Sequence, residues 1–264
     1  MKNITIIDGH DWLYRAFYVV PTAAATRGGT MVNALYGFMM FLRQTTAMHP
    51  NNEVLIVFDA EAEQKSLARD RPILKQLPLI KKLLDLIGIK WIQDEKNRGI
   101  DVIASMTAKW KGTGAKVFIA SNNYDFVQFI SDKVTMIYDF HGFLNDFDAR
   151  DVVEKFGVKP AQFIDFKALD GTRTHKMPGV PGMGIKNAAA LMEKYKTVAN
   201  LYKHLNELPP AAAATLMAAK PVVAKNQKTL AMRTDVKFSG GPGKVSAKAL
   251  NEKMSIMLHR AGIK

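Results

Sequence analysis

The stretch of sequence that decides the fold is Met177-Pro178-Gly179-Val180-Pro181-Gly182-Met183-Gly184-Ile185-Lys186, which runs straight into an alanine-rich segment of helical composition. Glycines at this density allow a tight turn and the close approach of another main chain. The helix that follows would aim free N–H groups and the positive end of its dipole at a phosphate. The candidate phosphate contacts are Gly179, Gly182, Gly184 and Lys186. The alternative is a corner between two helices that binds nothing.

The charge balance of the chain favours a polyanionic partner. Among 264 residues, 37 are Lys or Arg and 24 are Asp or Glu, which gives a formal net charge of +13. Such an excess is typical of proteins that bind nucleic acid, although a surface charged for solubility also explains it. A membrane partner is not expected, because the basic residues do not fall on one amphipathic helix and no apolar run approaches the roughly 18–20 residues of a membrane span.

The chain contains no cysteine. Disulfides, thiolate zinc sites and cysteine nucleophiles are therefore excluded. The apolar run at the N-terminus is too short for a signal peptide and reads as a buried strand. Together these features predict a protein of the reducing cytoplasm.

Short apolar runs alternate with helical patterns in the first part of the chain. The expected strands cover residues 4–8, 54–59, 89–92, 117–121 and 134–138. This alternation predicts an α/β fold with a mostly parallel central sheet flanked by helices. In such sheets the chemistry gathers beyond the carboxyl ends of the strands. Asp8, Asp59 and the turn at residues 121–125 all lie at such ends.

After residue 147 the pattern becomes helical. We expect an α/β domain over residues 1–147 and a helical, DNA-binding region over residues 148–264. Helices are expected at residues 161–169, 186–195, 198–205, 211–219, 222–232 and 246–261. The glycine turn lies between the first two of these.

Several motifs together resemble the 5′-nuclease family: flap endonucleases, phage 5′-exonucleases and the N-terminal 5′–3′ exonuclease domain of bacterial DNA polymerase I. The matching motifs are Asp8-Gly9 with Tyr14-Arg15-Ala16-Phe17, Ala34-Leu35-Tyr36-Gly37-Phe38, Val57-Phe58-Asp59-Ala60, Pro78-Leu79-Ile80-Lys81, Asp101-Val102-Ile103 and Glu154-Lys155-Phe156-Gly157-Val158. The resemblance implies that the glycine turn is the family's helix-three-turn-helix element, which contacts the DNA backbone without reading its sequence.

The resemblance also implies a site in which carboxylates hold two Mg²⁺ or Mn²⁺ ions for phosphodiester cleavage. The matching acids that remain are Asp8, Asp59, Asp101 and Asp125, whereas Arg98 stands where the family has an acid. The segment Gly171-Thr172-Arg173-Thr174-His175-Lys176 has lost both of its acids. Either the four acids are residual salt-bridge partners or three of them hold a single ion. We expect the second-ion site to be empty and Arg98 to pair with Asp8 or Asp59.

No catalytic residue is assigned. The preferred function is binding of duplex or branched DNA with nuclease activity lost or strongly reduced. The alternatives are an active 5′–3′ exonuclease or flap endonuclease with a reduced ligand set, and a scaffold for a replication protein. A Mg²⁺- or Mn²⁺-dependent cleavage assay separates the first two.

Two further expectations rest on the resemblance. Main-chain carbonyl groups of the glycine turn would bind K⁺, at Leu169, Asp170, Pro178, Val180 and Met183. Basic side chains beside the turn, at Arg173 and Lys176, would add phosphate contacts. In the family the segment after the Phe-Asp strand forms an arch that clamps the 5′ strand; this segment is shortened here, and its basic residues Lys65, Arg69 and Arg71 would add further contacts. The arch residues are equally well explained as solvated charges on a short loop, and Tyr124 either stacks on a base or packs within its own turn.

Overall fold

The computed structural model describes residues 2–21, 31–60, 71–172, 176–245 and 247–260. The chain forms two compact units that are interleaved along the sequence. The first unit comprises Met1–Asn123, Lys133–Asp146 and Arg233–Lys264, and the second comprises Tyr124–Asp132 and Phe147–Met232. Because the chain returns to the first unit after residue 232, a single boundary after residue 147 does not describe this division.

The first unit is built on one sheet. The strands of the chain are β1 (Asn3–Asp8), β2 (Glu53–Phe58), β3 (Trp91–Gln93), β4 (Lys116–Ala120), β5 (Val134–Phe140), β6 (Phe143–Phe147), β7 (Gly171–Thr172), β8 (Met177–Pro178) and β9 (Gly243–Lys244). The sheet has the order β3-β2-β1-β4-β5-β6, with β9 pairing to β2. The pairs among β1 to β5 are parallel, and β9 runs antiparallel to β2. The predicted α/β fold with a mostly parallel sheet is therefore confirmed.

The central strands form because their residues are apolar on both faces. In β1 and β2 every residue after the first is buried, as expected for strands covered by helices on both sides. Their register pairs Ile6 with Leu55 and Asp8 with Val57. This pairing brings the carboxyl end of β1 beside that of β2, so the groups that follow each strand lie at one edge.

Helices cover this sheet and make up the second unit. They are α1 (Gly9–Val19), α2 (Asn33–Met48), α3 (Arg71–Leu74), α4 (Leu77–Ile87), α5 (Gly99–Gly112), α6 (Ala149–Phe156), α7 (Phe163–Asp170), α8 (Gly184–Tyr195), α9 (Val198–Lys203), α10 (Pro210–Leu230) and α11 (Ala247–Arg260). Among the described residues, no helix is both long and apolar enough to span a bilayer.

The core of the first unit is aromatic. The ring of Phe38, on α2, meets Trp12 edge-on at 6.0 Å and stacks on Phe58 at 6.2 Å between centroids. Leu250 and Met254 of α11 belong to the same core. The C-terminal helix is thus part of the α/β unit, although the helical pattern after residue 147 had placed it with the rest of the helical region.

In the second unit, α7 packs against both α8 and α10. Phe156, Phe163 and Phe166 form an aromatic cluster, with 5.0 Å between the ring centroids of the first two. A helix of 21 residues, α10, runs through Pro221. The sequence predicted a break before residue 222; instead the helix continues, because its buried face includes Leu216, Val223 and Leu230 on both sides of the proline.

Candidate functional site

Acidic side chains of the first unit gather where the parallel strands end. Asp8 is the last residue of β1, Asp59 follows β2, and Asp139 lies near the end of β5. Ser121 follows β4 between them. The sequence predicted the importance of Asp8 and Asp59 from their position, and the sheet register explains it.

Asp8 is held on all sides by protein groups. It caps α1, with its Oδ1 accepting the N–H of Asp11 at 3.1 Å and its Oδ2 accepting the hydroxyl of Ser121 at 3.0 Å. The residue is only 7% exposed. Burial, followed by the nearby charge of Asp59, raises the pKa of Asp8 to about 7 in spite of these hydrogen bonds. The neutral form of this carboxyl group is therefore favoured up to a much higher pH than that of an exposed aspartate.

A further carboxyl group beside Asp8, that of the partly buried Asp11, was missed by sequence analysis. Its Oδ2 accepts the N–H of Asn122 at 2.8 Å. Burial and the charge of Asp8 raise the pKa of Asp11 to about 7. Asn122 in turn exchanges hydrogen bonds with the main chain of Asp139. The spacing Asp8–Asp11 on the first turn of a helix was the signal that could have identified this residue.

His10 is neutral and turned toward Asp59. Its Nδ1 accepts the N–H of Asp59 at 2.8 Å, so the ring proton resides on Nε2. Burial, and then the positive charge of Lys81, lower the pKa of His10 to about 4. Asp59 itself keeps 31% of its side chain exposed. It lies against Gly99, where an added methyl group would collide with the Asp59 carboxylate.

The guanidinium of Arg98 forms a bidentate ion pair with the carboxylate of Asp101. Its Nε donates to Oδ2 at 2.8 Å and its Nη2 to Oδ1 at 2.9 Å. The N–H of Arg233 donates to the same Oδ1 at 3.0 Å. The Asp101 side chain is 4% exposed, whereas that of Arg98 is 46% exposed. Arg98 was expected to pair with Asp8 or Asp59, and that pairing stays a prediction; the contact with Asp101, three residues along the chain, was not expected. Arg233 had no signal in the sequence.

The fourth acid, Asp125, belongs to the second unit. It lies in a 3-10 turn, Tyr124–Phe129, and its carbonyl oxygen accepts the side-chain amide of Gln128 at 2.6 Å. Tyr124 packs edge-on against Phe156 at 5.2 Å between ring centroids. Of the two roles considered for Tyr124, this contact favours packing within the turn.

The glycine turn of the second unit brings the end of α7 against the start of α8. The N–H of Val180 donates to the carbonyl of Leu169 at 2.8 Å, and Met183 N–H donates to Val180 at 3.0 Å. A methyl group on Gly179 would fall on the carbonyl of Asp170. Only glycine therefore permits this approach of the two main chains.

Asn226 fastens this turn to α10. It is 2% exposed, and its side-chain amide donates to the carbonyls of Ala168 at 3.1 Å and Pro178 at 2.8 Å. Sequence analysis missed it, because a single Asn in an alanine- and lysine-rich helix carries no pattern. Its role is to hold the main chain of the turn in place.

The first turn of α8 is open to solvent. Gly184 and Lys186 are exposed, as is Ile185 at 51%. Met183 occupies the N-cap position without a side-chain hydrogen bond, and this described helix has no acid in its first turn. A cleft of about 920 Å³ beside it is lined by Lys167, Lys176 and Gly184 among others. The positive end of α8 and two lysines therefore face one cleft, which Asp170 also lines, with its carboxylate 3.6 Å from the Lys167 ammonium group.

The five residues expected to ligate K⁺ lie in this same turn. The carbonyls of Leu169, Val180 and Pro178 each accept one hydrogen bond, from Val180, Met183 and Asn226. A carbonyl oxygen has two lone pairs, so each retains one for a cation. Potassium binding stays a prediction.

Some expected DNA contacts are outside what the structure describes. These are Lys65, Arg69 and Arg173, together with the side chain of Arg71. The arch and the segment at residues 173–175 therefore stay as sequence predictions.

Two family models together match most of the chain. Residues 3–157 match the 5′-3′ exonuclease N-terminal resolvase-like domain. Residues 158–253 match the 5′-3′ exonuclease C-terminal SAM fold. The chain belongs to the 5′-3′ exonuclease family. The resemblance carried by the sequence motifs is thereby confirmed.

Relatives in this family are of two lengths. A 5′-3′ exonuclease of Aquifex aeolicus is 33% identical over 218 residues, which cover 77% of this chain and 73% of the relative. The thermostable DNA polymerase I of Thermus filiformis is 32% identical over 222 residues, which cover 79% of this chain but 26% of the polymerase. This 5′-3′ exonuclease family chain thus spans about a quarter of the polymerase.

Solved structures share the fold at low sequence identity. The 5′-exonuclease of bacteriophage T5, with bound zinc, has a TM-score of 0.67 at 17% identity and covers 98% of this chain and 100% of its own. A T5 flap endonuclease in a pseudo-enzyme–product complex with DNA and metal ions has a TM-score of 0.66. The catalytic core of Rad2 in complex with DNA substrate has a TM-score of 0.60 at 16% identity.

The described donors of the first unit do not fit the pair of divalent ions that the family resemblance implies. Both oxygens of Asp101 are engaged by Arg98. Hard cations require several ionised oxygen ligands, whereas a guanidinium lies beside Asp101. Among the described residues, no group of three or more His, Asp or Glu side chains is arranged to hold a metal.

Proposed function

We propose that this member of the 5′-3′ exonuclease family binds duplex or branched DNA through its sugar–phosphate backbone, with nuclease activity lost or strongly reduced. The observation that carries the proposal is the contrast between an exposed main-chain cradle at the start of α8 and a carboxylate, Asp101, already engaged by Arg98. Solved relatives in complex with DNA support the same partner.

The cradle suits phosphate for a physical reason. The first N–H groups of α8 have no partner within the helix, and the helix dipole adds positive potential at the same point. Lys186 and Lys176 add full charges. Because these contacts reach only phosphate oxygens, binding is expected to depend on DNA shape and salt and not on base sequence.

A potassium ion at the turn would strengthen this contact. The carbonyls of the five turn residues would hold it on the protein side, and phosphate oxygens would complete its shell. A chain without cysteine needs no oxidising compartment, and we place its action on DNA in the cytoplasm.

The test of DNA binding is a gel-shift titration of a 5′-flap DNA in EDTA. Wild type is expected to bind with an affinity that falls steeply as salt rises. Lys186→Ala is expected to weaken binding several-fold and to reduce the slope of log affinity against log salt by about 1. Lys203→Ala, at an exposed lysine at the end of α9, is the matched control and should bind like wild type.

Salt-independent binding, or equal losses for Lys186→Ala and Lys203→Ala, would contradict a specific cradle on α8. No binding of wild type to any DNA in EDTA would remove the proposed function. A role as a scaffold that binds a replication protein in the absence of DNA would then fit the chain better.

The second candidate function is cleavage. Asp59 favours it, because this acid is partly exposed and ends a strand at the same edge as Asp8. The same flap DNA, incubated with Mg²⁺ or Mn²⁺, tests it. Cleavage that Asp59→Ala abolishes would establish a working 5′ nuclease, and binding without cleavage supports the main proposal.

A further inference from the structure

The hairpin between β5 and β6 carries two aromatic rings into solvent. Phe140 ends β5 and is 59% exposed, and Phe143 begins β6 and is 74% exposed. Phe143 is the most exposed large hydrophobic residue in the described part of the chain. The Phe140 ring meets the ring of His141 edge-on at 4.5 Å between centroids. Burying a phenyl ring is ordinarily favourable by about 2 kcal/mol, so two exposed rings flanking one turn are a candidate contact surface.

The hairpin turn that presents the rings is hydrogen-bonded to the rest of the first unit. His141 and Gly142 both have positive φ angles, 52° and 90°, which is the two-residue turn that matches the twist of paired strands. The N–H of Gly142 donates to Asp139 at 2.7 Å, and its carbonyl accepts the side-chain amide of Gln44 at 3.2 Å. Asp139 is itself held by Arg15. The main chain that carries the rings is therefore held in place by hydrogen bonds, which lowers the cost of ordering it on binding.

The position of the hairpin relates it to the carboxylate site of the same unit. Asp139 lies near the carboxyl end of β5, and the edge formed by such strand ends also carries Asp8 and Asp59. The chain of hydrogen bonds from Asp139 through Asn122 to Asp11 joins the two places directly. A strand of DNA that passes this edge would meet both.

The exposed area of Phe140 and Phe143 indicates which class of partner binds them. Two partly exposed phenyl rings offer on the order of 250 Å² of surface, well below the ~800 Å² that each partner contributes to a stable protein interface. The flat face of one nucleobase matches that scale, and base–aromatic stacking is a usual source of affinity for unpaired strands. The net charge of +13 favours the same occupant.

We propose that Phe140 and Phe143 form a stacking surface for an unpaired nucleobase at a DNA junction or strand end. This proposal rests on the proposed DNA binding and adds a contact that the phosphate cradle does not supply. It predicts that the protein distinguishes DNA with an unpaired base from blunt duplex DNA.

The experiment compares two probes: a blunt duplex, and the same duplex with a short unpaired 5′ strand that carries 2-aminopurine next to the junction. Wild type is expected to bind the second more tightly and to change the 2-aminopurine fluorescence. Phe143→Ala, and more strongly Phe140→Ala with Phe143→Ala, should lose about 5- to 150-fold in affinity for the junction and little for the duplex. An abasic nucleotide in place of 2-aminopurine should remove the preference of wild type.

Three further variants test whether the aromatic face itself makes the contact. Phe143→Trp should keep the preference, because it keeps an aromatic face, whereas Phe143→Leu should lose it. Leu86→Ala removes another exposed apolar side chain of the same unit, 63% exposed on α4, and should behave like wild type. Unchanged affinity for blunt duplex shows that each variant is folded.

The outcomes separate this proposal from the one on which it rests. Wild type that binds both probes in EDTA, with Phe143→Ala or Phe143→Leu equal to it on the junction, overturns the stacking surface and leaves the phosphate cradle intact. Wild type that binds neither probe overturns both.

Discussion

The carboxyl edge of the sheet and the glycine turn between α7 and α8 differ in whether side-chain or main-chain groups supply their polar atoms. At the sheet edge the polar atoms belong to side chains, so that a single residue such as Arg98 sets the charge beside Asp101. At the glycine turn the polar atoms are N–H and C=O groups of the main chain. The sequence around the turn can change and leave those groups where they are. A phosphate-binding function can therefore outlast a metal-binding one in the same chain.

The electrostatics of the two regions point in opposite directions. Two carboxyl groups at the sheet edge, the buried Asp8 and the partly buried Asp11, have a pKa raised to about 7, since desolvation disfavours their charged forms. The first turn of α8 keeps its positive end exposed. The sheet edge therefore disfavours the ionised carboxylates that would bind a cation, whereas the start of α8 attracts an anion.

The largest expected effect tests the main-chain region. In Gly179→Ala the new methyl group would collide with main-chain atoms of Asp170, which have no free rotation to relieve it. We expect a loss of about 4 kcal/mol in the free energy of unfolding, since overpacking against a main chain cannot relax as a side chain does. Chemical denaturation of wild type and variant measures it, and DNA binding in EDTA should fall with it.

The matched control for this change is Gly112→Ala. Gly112 is the last residue of α5 and has open space around its added methyl group. The stability of the Gly112→Ala variant should equal or slightly exceed that of wild type, because alanine is the better helix former. Equal stabilities for the two variants would show that the main chain of the turn can move to accommodate a methyl group. The contrast between the glycine turn and the carboxyl edge of the sheet would then no longer hold.

The next effect tests the carboxyl edge through its pH dependence. The pKa of Asp8 in the folded state is raised to about 7 from 3.8, so the native state binds more protons than the unfolded state between these values. Stability is therefore lost as pH rises through this window. Asp8→Asn removes the titration and should be more stable than wild type by about 2–3 kcal/mol at pH 8 but equal to it near pH 4.

Thermal unfolding at a series of pH values measures this difference. Added Mn²⁺ sharpens the test, because an ion bound at Asp8 would favour the charged carboxylate and flatten the profile of wild type. We expect the profile to stay as it is. Flattening by Mn²⁺ in wild type but not in Asp8→Asn would instead support the cleaving enzyme.

Much of the first unit could be predicted from the sequence, because its strands are continuous apolar runs. All five expected strands are present, each shifted by two residues or fewer at either end. The hairpin strand β6 was missed, since Phe143-Leu144-Asn145-Asp146-Phe147 contains two residues that disfavour strands. It forms because the turn before it fixes the pairing, and this turn signal, His141-Gly142, was not read.

Residues of the candidate site could be predicted only where they lie at the end of a strand or within a recognisable local pattern. Asp8 and Asp59 follow strands, and Gly179 lies in a dense glycine pattern. Arg233 and Asn226 act across more than 40 residues of sequence, through a main-chain N–H and a side-chain amide. No local pattern marks such contacts. For the same reason the contact of Arg98 with Asp101 was not predicted, because a choice among neighbouring acids depends on packing.

The smallest expected effect concerns that partner. Arg98→Ala removes two hydrogen bonds from the Asp101 carboxylate, which is 4% exposed and would keep only the N–H of Arg233. Breaking a fully buried ion pair costs about 3–5 kcal/mol. Arg98 is 46% exposed and is therefore solvated even when paired, so we expect a loss of about 1–2 kcal/mol in the free energy of unfolding.

The double variant with Asp101→Asn decides whether this loss comes from the stranded charge. With that charge removed, stability should recover toward wild type, because a neutral amide tolerates burial with one hydrogen bond better than a carboxylate does. Mn²⁺ should raise the unfolding midpoint of Arg98→Ala and not of wild type, since only the variant leaves the Asp101 oxygens open to a cation. If Mn²⁺ stabilised both proteins equally, the guanidinium would not be what keeps an ion from this edge, and the contrast with the glycine turn would have to rest on the raised pKa of Asp8 alone.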